Sequence, residues 1–318
     1  MLVAMEQTEC APEQEWREPT HYIDFNAKLL RERLNCWCFS LTHNLAGHPL
    51  FELPRLIELA RETAQRRPEC LHYDTGATDV SQRWDATSPS AWPVDETIER
   101  IANAEAWIVI RQAHRDPGYK ALLGACIREL LDNTDPSLKK LIKAAEAIIF
   151  ITSPNRLTTY HIDRECNFLF QVRGEKTIHV FDRDDREILT EEEIERFWSV
   201  DNNAAVYKPQ YQDRAYPYVL RPGNGIHLPI NTPHWLRNGN NISVSLNINL
   251  RFCDRTAGNL YRANYLLRRM GLTPSVPNES RIRDGIKARL ATVVKGTIDA
   301  TPNAVKDTLK LAFRPGRS

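Results

Sequence analysis

Charge of one sign is missing from this 318-residue sequence: 42 basic and 41 acidic side chains leave a formal net charge of +1. Non-specific nucleic-acid binding rests on phosphate neutralisation, so no nucleic-acid partner is expected. Long apolar runs are missing too, and none approaches the roughly 20 residues of a membrane-spanning helix. Residues 1–20 contain no basic segment followed by an apolar one. They are expected to form a polar, disordered tail and not a secretory signal. Paired cysteines are also missing. The seven thiols (Cys10, Cys36, Cys38, Cys70, Cys126, Cys166, Cys253) are odd in number, scattered, and contain no C-x-x-C. They are read as free thiols of a reducing, cytoplasmic compartment, with no zinc site. No internal repeat and no low-complexity tract occurs.

With 42% hydrophobic and 26% charged residues, what remains is an ordinary globular composition. Apolar positions at helical spacing predict helices over 51–67, 94–104, 118–133 and 137–147, with a buried strand at 106–110. From 147 the character changes to short strand-like runs, broken by a helix-like insertion at 191–198. An aromatic loop follows, carrying Tyr207, Tyr211, Tyr216 and Tyr218. Such a loop either borders a substrate or packs on the body of the protein. Strands resume at 225–230 and 242–250, and the chain is helical again after 254. The expected organisation is a tail (1–20), one domain (21–253) with a strand-rich core at about 147–252, and a C-terminal helical region (254–318). Many short strands separated by turns predict a sandwich or barrel covered by helices.

The chemistry enters through H-x-D. On a strand, residues two apart project to one side, so this spacing presents an imidazole and a carboxylate together. Two histidines and one carboxylate on one face, with open positions beyond, is the ligand set of non-haem iron(II) oxygenases. The motif alone is weak. Nine His and 18 Asp produce about half an occurrence by chance in this length. Three occur: His72/Asp74, His114/Asp116 and His161/Asp163. The first runs into a polar, Gly-containing stretch and the second into Asp-Pro-Gly turn chemistry, so both are expected in surface loops. Only His161-Ile-Asp163 sits in a long strand-like run.

Periodicity adds a cation and narrows the third ligand. The run 168–180 reads as a hairpin with Gly174-Glu175 at its tip. That register sets Arg173 opposite Lys176, and steps of two lead back through Gln171 and Asn167 to Asp163 and His161. Lys176 therefore shares their face. An ammonium pointing into a barrel is costly unless paired, so its expected partner is an anionic ligand. His227 and His234 are both candidates for the third ligand. Residues 242–250 alternate strictly, with Ser243, Ser245, Asn247 and Asn249 on one face. That face is either wet or lines a polar cavity. A hairpin tip at Asn240-Asn241 sets His234 opposite Asn247.

The pattern Thr158-x-x-His161-x-Asp163-x-x-x-Asn167-Phe168, followed by Lys176 in the next strand, resembles the Jumonji-C/cupin-like family of Fe(II)/2-oxoglutarate oxygenases, and most of all its asparaginyl hydroxylases. Pro222-Gly223-Asn224 stands where the family has Pro-Gly-Asp. The resemblance covers about 147–252. It implies a double-stranded β-helix (jelly-roll, cupin) barrel with flanking helices. It also implies Fe(II) on His161, Asp163 and His234, 2-oxoglutarate as cosubstrate on Lys176, Thr158, Asn167 and Asn247, and O2 as oxidant. The implied activity is hydroxylation of a protein or peptide side chain, with a homodimer formed through the C-terminal helices. The alternatives are an oxygenase acting on a small molecule, and a cupin metal-binding protein without 2-oxoglutarate chemistry.

Overall fold

A computed structural model describes residues 16–252, 256–277, 279 and 282–287. Most of the expected tail and the chain beyond 287 lie outside these residues; Trp16 already packs on His48, ring centroids 4.3 Å apart. The first half supplies β1 (Ile23–Asp24), α1 (Ala27–Arg33), β2 (Phe39–His43), α2 (Leu53–Arg66), β3 (Leu71–Thr75), β4 (Ser88–Pro89), α3 (Val94–Glu99), β5 (Ala106–Ile110), α4 (Pro117–Asn133) and α5 (Pro136–Lys139). Then come β6 (Ile142–Thr152), β7 (Leu157–His161), β8 (Cys166–Arg173), β9 (Lys176–Val180), α6 (Glu191–Ser199), β10 (Tyr216–Leu220), β11 (Asn224–Leu228), β12 (His234–Asn238), β13 (Ser243–Phe252) and α7 (Thr256–Arg269).

Among the described residues two antiparallel sheets form. The larger has the order β1-β2-β11-β8-β13-β6-β5-β3-β4, and the smaller β10-β9-β12-β7. From β6 to β13 the chain winds between them: β6, β8, β11 and β13 enter the larger sheet, β7, β9, β10 and β12 the smaller. This is a double-stranded β-helix, as expected. The connections explain two corrections. Residues 168–180 are not a paired hairpin, because β8 and β9 lie in different sheets. Gly174 (φ +67°) carries the chain across, and a Cβ there would stand 2.2 Å from the Ile242 carbonyl oxygen. His234 likewise does not oppose Asn247. It pairs with His161 and Val180, while Asn247 pairs with Ile148 and Leu169.

The expected helix 137–147 is also corrected. Only Pro136–Lys139 is helical, and β6 begins at Ile142. Lys, Ala and Glu favour a helix locally, but β6 pairs with β13 from Ile142 to Thr152, and tertiary pairing overrides that weak preference. The helix expected over 94–104 stops at Glu99. Elsewhere local chemistry prevails: Asp116 caps α4 ahead of Pro117, and Thr190 and Glu193 close a capping box on α6.

Packing divides the molecule into layers. Helices α2 and α4 cover the outer face of the larger sheet through residues such as Leu56, Leu59, Leu123, Ile149, Ile151, Phe168 and Phe170. Leu169, Ile178, Val180, Ile226 and Leu236 fill part of the space between the sheets. The outer face of the smaller sheet is covered by the aromatic loop and α6, through Tyr160, Phe181, Trp235 and Tyr207. Tyr207 and Tyr211 are thus packing residues on the outside of the barrel.

Candidate metal centre

Strand register puts the candidate residues on the inner wall. In the smaller sheet Val180, Ile178 and Lys176 oppose His234, Leu236 and Asn238, and directly opposed residues share a face. All six are buried. Thr158 opposes Leu236 and His161 opposes His234, so both join that face. From His234 at one end of this row to Lys176 at the other is about 13 Å along the strands.

His161, Asp163 and His234 converge at the mouth of the barrel, and one donor atom from each lies within 4.8 Å of the others. Asp163 is not on the strand. β7 ends at His161, and the carboxylate turns back so that its Oδ2 lies 3.9 Å from His234 Nε2. Each histidine is oriented by its own backbone. His161 Nδ1 lies 2.7 Å from the Thr159 carbonyl and His234 Nδ1 2.9 Å from that of Thr232. A carbonyl only accepts, so Nδ1 donates in both rings, and the tautomer this selects carries its lone pair on Nε2. Burial, reinforced by His161, pushes His234 down to about 4 against the pull of Asp163, so its ring is neutral at pH 7. Asn167 Nδ2 donates to Asp163 Oδ2 at 2.5 Å. Two imidazoles that turn Nε2 toward one carboxylate fit a divalent iron site, and the outward hydrogen bonds are those that orient such ligands.

His227, the other candidate, lies elsewhere. Its ring is wholly buried beside Phe39 and Phe168 (centroids 4.7 and 4.6 Å), and both nitrogens are used. Nε2 accepts from the Asn35 N–H at 3.0 Å, and Nδ1 faces the Asn167 carbonyl at 2.9 Å. Burial pushes it down to about 3. It is a satisfied core histidine. The other two H-x-D pairs also need correction, since neither is a surface-loop pair. Asp74 is buried on β3 and bonded by Arg156 Nη2 at 2.6 Å. Asp116 is the buried cap of α4, bonded to Arg55.

Lys176 has no hydrogen-bond or ion-pair partner among the described residues, and burial alone pushes it down to about 7. Facing it across the barrel is a polar wall. Asn247 Nδ2 donates to Asn249 Oδ1 (2.8 Å) and reaches Asn167 Oδ1 (3.5 Å); Asn247 Oδ1 is buried without a partner. Deeper in, Gln171 binds Ser243 and Ser245. The polar face of β13 therefore lines the interior, and β13 is a central strand between β6 and β8. Two residues around this centre were not singled out from sequence: Asn238 opposite Lys176, and Trp198, whose Nε1 donates to Asn231 Oδ1 at 2.9 Å. Parity had already placed Gln171 on this face; the other two depend on contacts between distant segments.

No protein-family model matches the chain, and no curated protein matches it by sequence. Solved structures do match. YcfD of Escherichia coli is 12% identical, over 93% of this chain and 74% of that one, with a TM-score of 0.47. The same protein, described as a ribosomal oxygenase in complex with cobalt and 2-oxoglutarate, is matched at 14% identity over 91% and 71%, with a TM-score of 0.48. A cupin superfamily protein from Desulfitobacterium hafniense is 12% identical, over 33% of this chain and 66% of that one, with a TM-score of 0.22.

Proposed function

We propose that this chain is an Fe(II)- and 2-oxoglutarate-dependent dioxygenase that hydroxylates a protein or peptide side chain. The observation that carries the oxygenase reading is one inner wall holding a His-Asp-His cluster at its mouth and, at its far end, a buried lysine with no partner among the described residues. A metal site alone would serve any cupin. A buried ammonium without a counter-charge has a use when the ligand brings a second carboxylate. The choice of a protein side chain as substrate rests on the motif resemblance to asparaginyl hydroxylases.

His161, Asp163 and His234 would hold the iron through Nε2, a carboxylate oxygen and Nε2. Bound Fe(II) supplies activation of O2 and oxidation of a substrate C–H bond, coupled to conversion of 2-oxoglutarate to succinate and CO2. The protein's share is placement. Lys176 binds the distal carboxylate of the cosubstrate, and that negative charge draws the lysine back to its protonated form. The Thr158 hydroxyl lies on the same face and donates to the same carboxylate. Asn167 steadies Asp163 and, with Asn247, lines the space between. The apolar residues Ile178, Leu236 and Leu169 keep bulk water from the lysine, which strengthens its attraction for the carboxylate.

The test is turnover in the absence of a prime substrate. Protein purified anaerobically is given Fe(II) and 2-oxoglutarate, then oxygen, and succinate is followed by NMR. Slow succinate formation is expected, lost in Asp163→Ala and reduced in Lys176→Ala. No succinate, together with no 2-oxoglutarate binding, would leave a cupin metal protein without this chemistry. Peptide and small-molecule mixtures examined for one added oxygen then separate the two substrate classes.

A further inference from the structure

The metal cluster is held from behind by a two-residue step at the end of α6. Arg164, which follows Asp163 directly, donates through Nη2 to the Phe197 carbonyl and to Asn202 Oδ1 (2.9 Å). Its guanidinium lies 4.9 Å from the Phe197 ring centre and 5.6 Å from that of Trp198. On the other side, Trp198 donates to Asn231, three residues before His234. Asn231 is buried and left-handed (φ +59°), a conformation asparagine tolerates. Its backbone N–H donates to the Asp163 carbonyl at 2.8 Å. The next residue, Thr232, supplies the carbonyl that orients His234. One turn thus grips two members of the cluster, and its side-chain anchor is Trp198.

Trp198 is itself seated by α7. A Cβ on Gly258 would stand 2.6 Å from Trp198 Cε3 and Cζ3, so only glycine lets the helix approach the indole this closely. Tyr261 stacks on it at 17°. Arg268 of α7 binds Glu195 of α6 through two hydrogen bonds of 2.8 and 3.0 Å, and Glu195 is almost wholly buried. The two helices act as one brace.

We infer that Trp198 is a positioning residue for the metal centre: seated on Gly258, it fixes the Asn231 turn and through it Asp163 and His234. This rests on the metal-binding reading above. It adds that packing of α7 on α6 sets metal affinity from outside the ligand set. Outer contacts of this kind change metal affinity by roughly 10–100-fold.

The full chain is titrated with Co(II), followed by visible absorption, and thermal unfolding of the metal-free protein is recorded beside it. Trp198→Phe keeps the ring and removes the donor. Asn231→Gly keeps the left-handed backbone and removes the acceptor. Asn231→Asp keeps both. The inference expects Co(II) affinity to fall roughly 10-fold or more in the first two, with a changed spectrum, and to stay at or above wild type in the third. Affinity within about twofold of wild type in Asn231→Gly, or Asn231→Asp falling as far as Asn231→Gly, overturns it; so does a loss matched by an equal loss of metal-free stability in all three variants. Wild-type protein that takes up no Co(II), and is indistinguishable from Asp163→Ala, removes the metal reading instead.

Discussion

His72/Asp74 and His161/Asp163 carry the same three-residue pattern and end in opposite situations. On β3 the strand continues through both residues, and Asp74 meets Arg156, a buried cation that binds its Oδ1. Its histidine stays 3.7 Å away. On β7 the strand stops at His161, and Asp163 folds back toward a second histidine with no lysine or arginine bonded to it among the described residues. H-x-D on an unbroken strand makes a side-by-side pair. H-x-D at a strand end lets the carboxylate turn toward a third residue. His227 and His234 repeat the lesson within the core: both are buried and neutral, but only His234 retains a free Nε2 beside a carboxylate.

The sharpest break of this comparison is Asp163→Ala against Asp74→Ala. The first is expected to abolish Co(II) or Fe(II) binding and succinate formation, leaving the folded protein intact. Asp74→Ala leaves metal affinity unchanged and destabilises the fold by about 3–5 kcal/mol, because Arg156 is left buried and unpaired. Urea unfolding and metal titration of both variants check this, and equal loss of metal in Asp74→Ala would sink the distinction.

Lys176→Met should weaken 2-oxoglutarate binding by roughly 10–100-fold, the worth of a charge-assisted contact. It should also make the ligand-free protein more stable near neutral pH. An unfolded lysine keeps its proton up to about 10.5, whereas folded Lys176 releases it above about 7. Between these values the unfolded chain binds more protons, so its contribution to stability rises with pH across that window and is lost as pH falls toward 7. Removing the lysine removes that slope, worth roughly 5 kcal/mol over the whole window. Unfolding curves of both proteins at pH 7 and 9 measure it, and parallel behaviour would mean that Lys176 is solvated.

Thr158→Val is the smallest expected effect. Losing one neutral hydrogen bond to the cosubstrate weakens 2-oxoglutarate by about 2–10-fold, with metal affinity unchanged. Calorimetric titration of 2-oxoglutarate into the metal-loaded variant checks it; unchanged affinity would take Thr158 out of the cosubstrate site.

Much of the centre was legible in the sequence because parity is a local property. Alternation put Ser243, Ser245, Asn247 and Asn249 on one face of β13 whichever strands it paired with; the structure turned that face inward, and it buried Lys176 without the hairpin register that had pointed there. Motif context singled out His161 and Asp163, the family resemblance chose His234 over His227, and the structure brings the three together. Pairing was not legible. The 168–180 and 234–247 segments read as hairpins because adjacent strands joined by a short turn usually pair, but in this barrel each short turn crosses from one sheet to the other. The strand character of 142–147 was hidden for a related reason: its residues favour a helix, and β13 lies a hundred residues away.

Sequence alone therefore determined which side chains of a strand share a face and which chemistry they offer, since two-residue periodicity and residue type are carried by neighbours along the chain. Only the tertiary structure decided which aspartate meets a cation, which histidine keeps a free nitrogen and what braces the ligands. Those outcomes depend on Arg156, Asn35 and Trp198, which come from separate segments and act across distances that local spacing does not encode.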